Sequence, residues 1–178
     1  MRGPFSASHS SKATMPEPDI AIEAPWPDTL DWEDIAARAA AAAAEVAPEL
    51  ANPRLSFSLL FADDAEVHAL NRDWRGKDKP TNVLSFPMLD RDDLLALAAD
   101  GPPELLGDIA LALETCGREA AEKSASLEHH AAHLIIHGLL HLAGLDHEIS
   151  PADADAMEAL EIKALALMAI ADPYGDRD

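Results

Sequence analysis

Between positions 55 and 61 the chain alternates Leu55, Phe57, Leu59 and Phe61 with Ser56, Ser58 and Leu60, the two-residue period of a strand with at least one buried face. A shorter alternation of Ile20 and Ile22 with small or polar neighbours predicts a first strand over 19–23, closed by Pro25 and Pro27. Asp31 is placed as an N-cap with Asp34 three residues on. With Leu30 and Ile35 at the staple positions, a helix is expected over 32–46, with Pro48 and Pro53 punctuating its exit. Asp63 or Asp64 caps a second helix reaching Trp74, which Gly76 stops. Residues 82–86 and 107–113 read as two further strands around a stretch, 89–103, of aspartate, alanine and proline that resembles an excursion at a sheet edge. From Glu114 onward the pattern is helical. Ser126 caps one segment ending near Ala143, while Ser150, Pro151 and Asp153 start the last helix, with Met157, Leu160, Ala164, Leu167 and Met168 along one face. The order βαβαββααα predicts an α+β (mixed α/β) fold, a small mixed sheet of about four strands with about five helices.

Length changes little in this picture: 178 residues make one core, so 18–178 reads as a single domain behind a disordered N-terminal tail, 1–17, that has no apolar run. Thirty-six alanines against 24 leucines and nine isoleucines reinforce the helical reading. Charge changes more. Lys+Arg 13 against Asp+Glu 33 gives −20, which excludes a broadly basic nucleic-acid face and leaves room only for a local one. Cys116, the one cysteine, excludes an intramolecular disulfide and any cysteine metal cluster, and points to a reducing compartment. The most apolar segment, 134–145, is 12 residues long and carries two histidines, too short to span a bilayer, so a cytoplasmic protein without a membrane partner is expected.

The late apolar segment also carries the most informative spacing. His137 and His141 stand four apart, on one face of a helix, where two imidazoles can converge on one ion. Gly144 can turn the chain in a left-handed conformation so that His147 approaches the same point. Three neutral nitrogen ligands with an open fourth position suit Zn²⁺ and hydrolytic chemistry near neutral pH. Metzincin proteases share this spacing but place a glutamate base directly after the first histidine, where this chain has Gly138. The base must then come from elsewhere, or be shared between metal-activated water and a substrate phosphate. His133, one turn earlier, is a packed residue, a group behind the ligands or an alternative ligand; Asp146 orients a ligand ring or stabilises the turn.

A second local feature is a basic island. Arg72, Arg75, Lys77 and Lys79 gather four of the 13 cations within eight residues, against Asp73 and Asp78. Such a helix end can present charge to phosphates, or its cations can merely pair with the neighbouring aspartates. Trp74, beside them, stacks on a base or, as is commoner at the end of an amphipathic helix, belongs to the core.

The strings 75–87 (RGKDKPTNVLSFP), 106–109 (LGDI) and 137–147 (HGLLHLAGLDH), in that order, resemble the YbeY family of bacterial rRNA maturation factors, over a match of about 55–174. The resemblance implies a zinc-dependent, single-strand-specific endoribonuclease acting in 16S rRNA 3′-end maturation and ribosome quality control, with a metalloprotease-like zinc site on a late helix. It also implies one Zn²⁺ per chain on His137, His141 and His147, Arg75 as the residue that positions or stabilises the RNA phosphate, and Lys77 and Lys79 in the same basic segment. Expected partners are single-stranded RNA or rRNA, the small ribosomal subunit and one of its proteins, and an Era-type GTPase. Leu145 stands where the family more often has tyrosine, and 91–103 is enlarged, which bears on the cleft rim. A non-catalytic ribosome assembly factor with a structural metal and a zinc metalloprotease are the rival readings.

Overall fold

The computed structural model describes residues 15–23, 26–145 and 150–174. Its centre is β2 (Leu55–Ala62), whose alternate residues Leu55, Phe57, Leu59 and Phe61 are buried as the periodicity required. β2 has parallel neighbours on both sides, β1 (Glu17–Ile22) in register Glu17↔Ser56 to Ile22↔Phe61 and β4 (Glu104–Ala112) with a bulge at Ser56/Phe57. β3 (Val83–Pro87) runs antiparallel to β4, giving the order β1-β2-β4-β3. Glu17, read as the last tail residue, is thus already in the sheet.

Among the described residues six α-helices, against the five or so expected, pack around this sheet. α1 (Trp32–Val46) is capped by Asp31, α2 (Asp64–Arg75) by Asp63, α5 (Leu127–Leu142) by Ser126 and α6 (Pro151–Leu167) by Ser150, each side chain accepting the amide three residues on. Asp64 has another role: its carboxylate takes the Thr115 amide and hydroxyl at the start of α4 (Leu113–Glu122), which has no side-chain cap of its own. The stretch left without a conformation contains α3 (Arg91–Ala96), capped by Asp90 in the same manner.

One sheet face packs on α1 and α5, with α6 behind them. Ala36, Ala39, Ala40 and Ala43 are fully buried, so the alanine run is a packing surface that lets α5 and α6 approach closely. Trp26, Trp32 and Phe61 close the β1 end with ring centroids 5.0–5.2 Å apart. The other face is covered only in part: α2 sets Val67 against Ala62, Leu84, Ala110 and Ala112. On α6 the buried stripe is Met157, Glu161, Ala164 and Leu165, a 3.6-residue rhythm, which turns Leu167 outward against expectation. Among the described residues no helix is long and apolar enough to cross a membrane.

Candidate metal centre and basic loop

α5 buries Leu134, Ile135, Ile136, Leu139, Leu140 and Leu142 and leaves His137 and His141 half-buried on its remaining face. Their ring centroids stand 4.6 Å apart, inclined by 67°. The helix ends in a Schellman turn, with Gly144 at φ +90°, its amide on the His141 carbonyl at 2.9 Å and the Leu145 amide on the Leu140 carbonyl at 3.1 Å. The Arg91 guanidinium takes the Ala143 carbonyl at 2.7 Å and pairs with Glu49 at 2.9 Å. A Cβ on Gly144 would lie 2.6 Å from Arg91 Cβ, so the 91–103 stretch begins by clasping the end of the histidine helix. His147 and Asp146 lie outside the described residues.

Behind His137 sits Glu161, which the sequence reading missed. It is 1% exposed, and one oxygen accepts from His137 Nδ1 at 2.7 Å while the other accepts from His133 Nε2 at 2.7 Å and the Tyr174 hydroxyl at 2.6 Å. Burial pushes this carboxyl up, but the hydrogen bonds from His133, His137 and the Tyr174 hydroxyl outweigh it and hold it well below the ordinary carboxylate range. An ionised acceptor at Nδ1 keeps the proton there and makes Nε2 the lone-pair nitrogen, the preparation a metal-binding imidazole needs. The available signal was an acid inside the apolar stripe of α6. His133 is buried, and its Nε2 is committed to Glu161, which places it behind the candidate ligand His137.

Gly138 faces the sheet: a Cβ there would meet Ile109 Cδ1 at 2.9 Å. A glutamate at this position would enter the core, so a base of the metzincin kind has no place on this helix turn.

The basic loop is held, not slack. Asn71, 1% exposed, donates to the Lys79 carbonyl at 2.9 Å, its own carbonyl takes the Lys77 amide at 3.1 Å, and Gly76 ends α2 at φ +69°. Arg75, Lys77 and Lys79 are exposed. The neighbouring aspartates are engaged elsewhere, Asp73 with Arg72 at 2.9 Å and Asp78 with His68 at 2.8 Å; among the described residues no carboxylate pairs with Arg75, Lys77 or Lys79. The solvated-pair reading therefore holds for Arg72 alone. Trp74 is 75% exposed, which corrects its expected place in the core.

Loop and helix are tied by polar contacts. Asn82 donates to Glu119 at 3.0 Å, and Glu119 meets His130 of α5 at 2.8 Å. Burial lowers the His130 pKa, opposed by Glu119.

Among the described residues no three His, Cys, Asp or Glu side chains are arranged to hold a metal by themselves. His137 and His141 supply two nitrogen donors, and the tautomer set by Glu161 fits a zinc-type ion completed by a ligand from beyond Leu145.

The comparisons bear on the same segments. A family model described as Endoribonuclease YbeY matches residues 24–169. A protein of Novosphingobium aromaticivorans named Endoribonuclease YbeY is 63% identical over 161 residues, 90% of this chain and 96% of its own. One of Erythrobacter litoralis with the same name is 66% identical over 152 residues, 85% of this chain and 94% of its own. Among solved structures, the solution structure of a Thermotoga maritima protein shares the fold at TM-score 0.53 and 23% identity, covering 89% of this chain and 91% of that one.

Proposed function

The chain belongs to the YbeY family of endoribonucleases, and from that premise we propose that it is a zinc-dependent endoribonuclease cutting single-stranded RNA. His137, His141 and His147 are its ligands for one Zn²⁺, and Arg75, with Lys77 and Lys79, engages the RNA phosphates. Glu161 is the observation that carries the reading: a buried anion committed to His137 Nδ1 supports a ring used through its other nitrogen. The three cations without carboxylate partners support the substrate class, because they stand together in one exposed loop and so offer an anion a concentrated positive site on a chain of charge −20.

When bound, the metal supplies a Lewis acid to the phosphoryl group and lowers the pKa of a water at its open position. The Arg75 guanidinium stabilises charge growing on the non-bridging oxygens. Glu161 keeps the His137 proton at Nδ1 throughout. Attack by water leaves a 5′-phosphate, and attack by the RNA 2′-hydroxyl leaves a 2′,3′-cyclic phosphate, so the product ends identify the nucleophile. We place the activity in the cytoplasm, in 16S rRNA 3′-end maturation and ribosome quality control, with the small ribosomal subunit, one of its proteins and an Era-type GTPase as partners. The unpaired cations would also serve a non-catalytic assembly factor docking on rRNA, whereas the core-facing Gly138 speaks against a metalloprotease.

The test is cleavage of a defined single-stranded RNA by wild type, His137→Ala and Arg75→Ala, with zinc measured on the same samples. His137→Ala is expected to lose metal and cleavage together, and Arg75→Ala to keep metal and lose cleavage. Stoichiometric zinc in His137→Ala removes that ligand; full cleavage by Arg75→Ala removes Arg75 from the site; a wild type that leaves the RNA whole favours the assembly role, and casein cut while RNA stays whole overturns the proposal.

A further inference from the structure

Of the chain's three tryptophans, Trp26 and Trp32 are 2% exposed and Trp74 is 75% exposed. Position 74 follows Val67 by seven residues, so its ring stands on the side of α2 that overlooks the sheet. The sheet does not rise to meet it. Between α2 and the outer face of β1, β2 and β4 lies a groove of about 500 Å³, within the ~300–1,000 Å³ range of small-molecule sites. Leu70, Trp74, Phe86 and Met88 give it apolar walls, and Asp19 and Asp108 are its carboxylates. Met88, 56% exposed, leaves its rim open.

Charge selects the occupant. Two carboxylates repel a phosphate but accept N–H groups from the edge of a base, and an indole offers a stacking face to any base. Arg75, the next residue after Trp74, begins the segment whose cations lack carboxylate partners. A nucleotide with its phosphate on the loop would set its base in the groove. Phe86 joins this groove to the histidine helix: it lines the groove, and its carbonyl and Leu142 of α5 both flank the space that a Cβ on Gly107 would fill. We propose that this groove is a nucleobase subsite, with Trp74 as its stacking residue, for the single-stranded RNA held by the Arg75 loop. The inference rests on the endoribonuclease reading and adds to it a contact with the base beside the bound phosphate.

The burial of Trp26 and Trp32 makes Trp74 a selective optical probe. Zinc-loaded protein is titrated with a fluorescein-labelled, cleavage-resistant 2′-O-methyl phosphorothioate oligonucleotide, read by anisotropy, and with the unlabelled oligonucleotide, read by the red-edge tryptophan emission that acrylamide can reach. An abasic chain of the same length is the control. The base-bearing chain is expected to quench that emission and the abasic chain to leave it unchanged. Trp74→Ala is expected to weaken binding about tenfold, the scale of one base on one aromatic face, and Trp74→Phe to recover most of it. Its exposure makes the variant safe for folding, which a urea midpoint checks. If the oligonucleotide fails to bind wild type, or binds Arg75→Ala equally well, the endoribonuclease reading is at fault. Binding that Arg75→Ala weakens, with no quenching and equal affinity in Trp74→Ala, overturns the subsite alone and leaves the groove to a protein partner.

Discussion

Glu161→Gln keeps the shape of the side chain and exchanges one acceptor oxygen for a donor. Three donors converge on the native carboxylate, two of them, His133 Nε2–H and the Tyr174 hydroxyl, on one oxygen and His137 Nδ1–H on the other. The amide oxygen serves best where two donors meet, so the NH₂ group is turned toward His137. That ring must then accept at Nδ1 and carry its proton on Nε2, the nitrogen required for metal. The expected loss is ~10–100-fold in zinc affinity, or about 1.4–2.7 kcal/mol, measured by competition with a chromogenic chelator at pH 7. The metal-free protein is expected to lose about 1–2 kcal/mol in urea unfolding, since a hydrogen bond to a charged group contributes ~1.5–3 kcal/mol and the amide is easier to bury. The sign of the pH dependence follows from the folded carboxyl lying below its ordinary 4.5. Its stabilisation is complete above that value and is lost as the pH falls toward the folded pKa, so the gap between wild type and Glu161→Gln narrows on acidification below about pH 4.5. Zinc affinity within twofold of wild type, or a gap that widens in acid, would refute the reasoning.

Cys116, fully buried, has its thiol pushed up to about 12 by burial, with Glu119 and Asp64 adding to it. At pH 8 it should resist iodoacetamide until the protein is unfolded, and rapid labelling of folded protein would contradict its placement. Gly107→Ala puts a Cβ 2.5 Å from the Phe86 carbonyl oxygen and 2.6 Å from Leu142 Cδ2, so the β3/β4 pair must splay. A loss of ~2–3 kcal/mol in urea unfolding is expected, and an unshifted midpoint would show that the strands are not so closely packed.

Local rules carried much of this structure. Asp31, Ser126 and Ser150 cap where their side chains and the following apolar rhythm placed them, and α1 begins and ends as the pattern predicts, because capping and periodicity depend on residues three or four apart. Asp90 obeys the same rule at α3, but six residues of helix among prolines and aspartates leave too short an apolar period to recognise. Long-range chemistry was less visible. Glu161 and His137 stand 24 residues apart on different helices, and only the packing of α6 behind α5 makes them partners. Trp74 was misplaced for a related reason: its helix face was read correctly as inward, but nothing local reveals that the sheet below leaves that turn uncovered.

The two halves of the site are joined without direct contact between them, and the motif that follows the cations explains how. Asn71 anchors the loop from within α2, and Asn82 closes it by donating to Glu119 of α4. Glu119 in turn meets His130, whose ring centroid lies 5.9 Å from that of His133, the second histidine on Glu161. On the proposed reading, RNA bridging the loop and the His137–His141 pair meets cations and imidazoles whose separation is set before it arrives, by groups that are themselves mostly shielded from solvent. Preorganisation of this kind is what a transition-state charge requires, since donors that must reorient as the charge develops lose most of their effect. It also accounts for an acidic enzyme acting on a polyanion: against a −20 background, Asn71 and Asn82 hold a loop in which three cations without carboxylate partners are gathered.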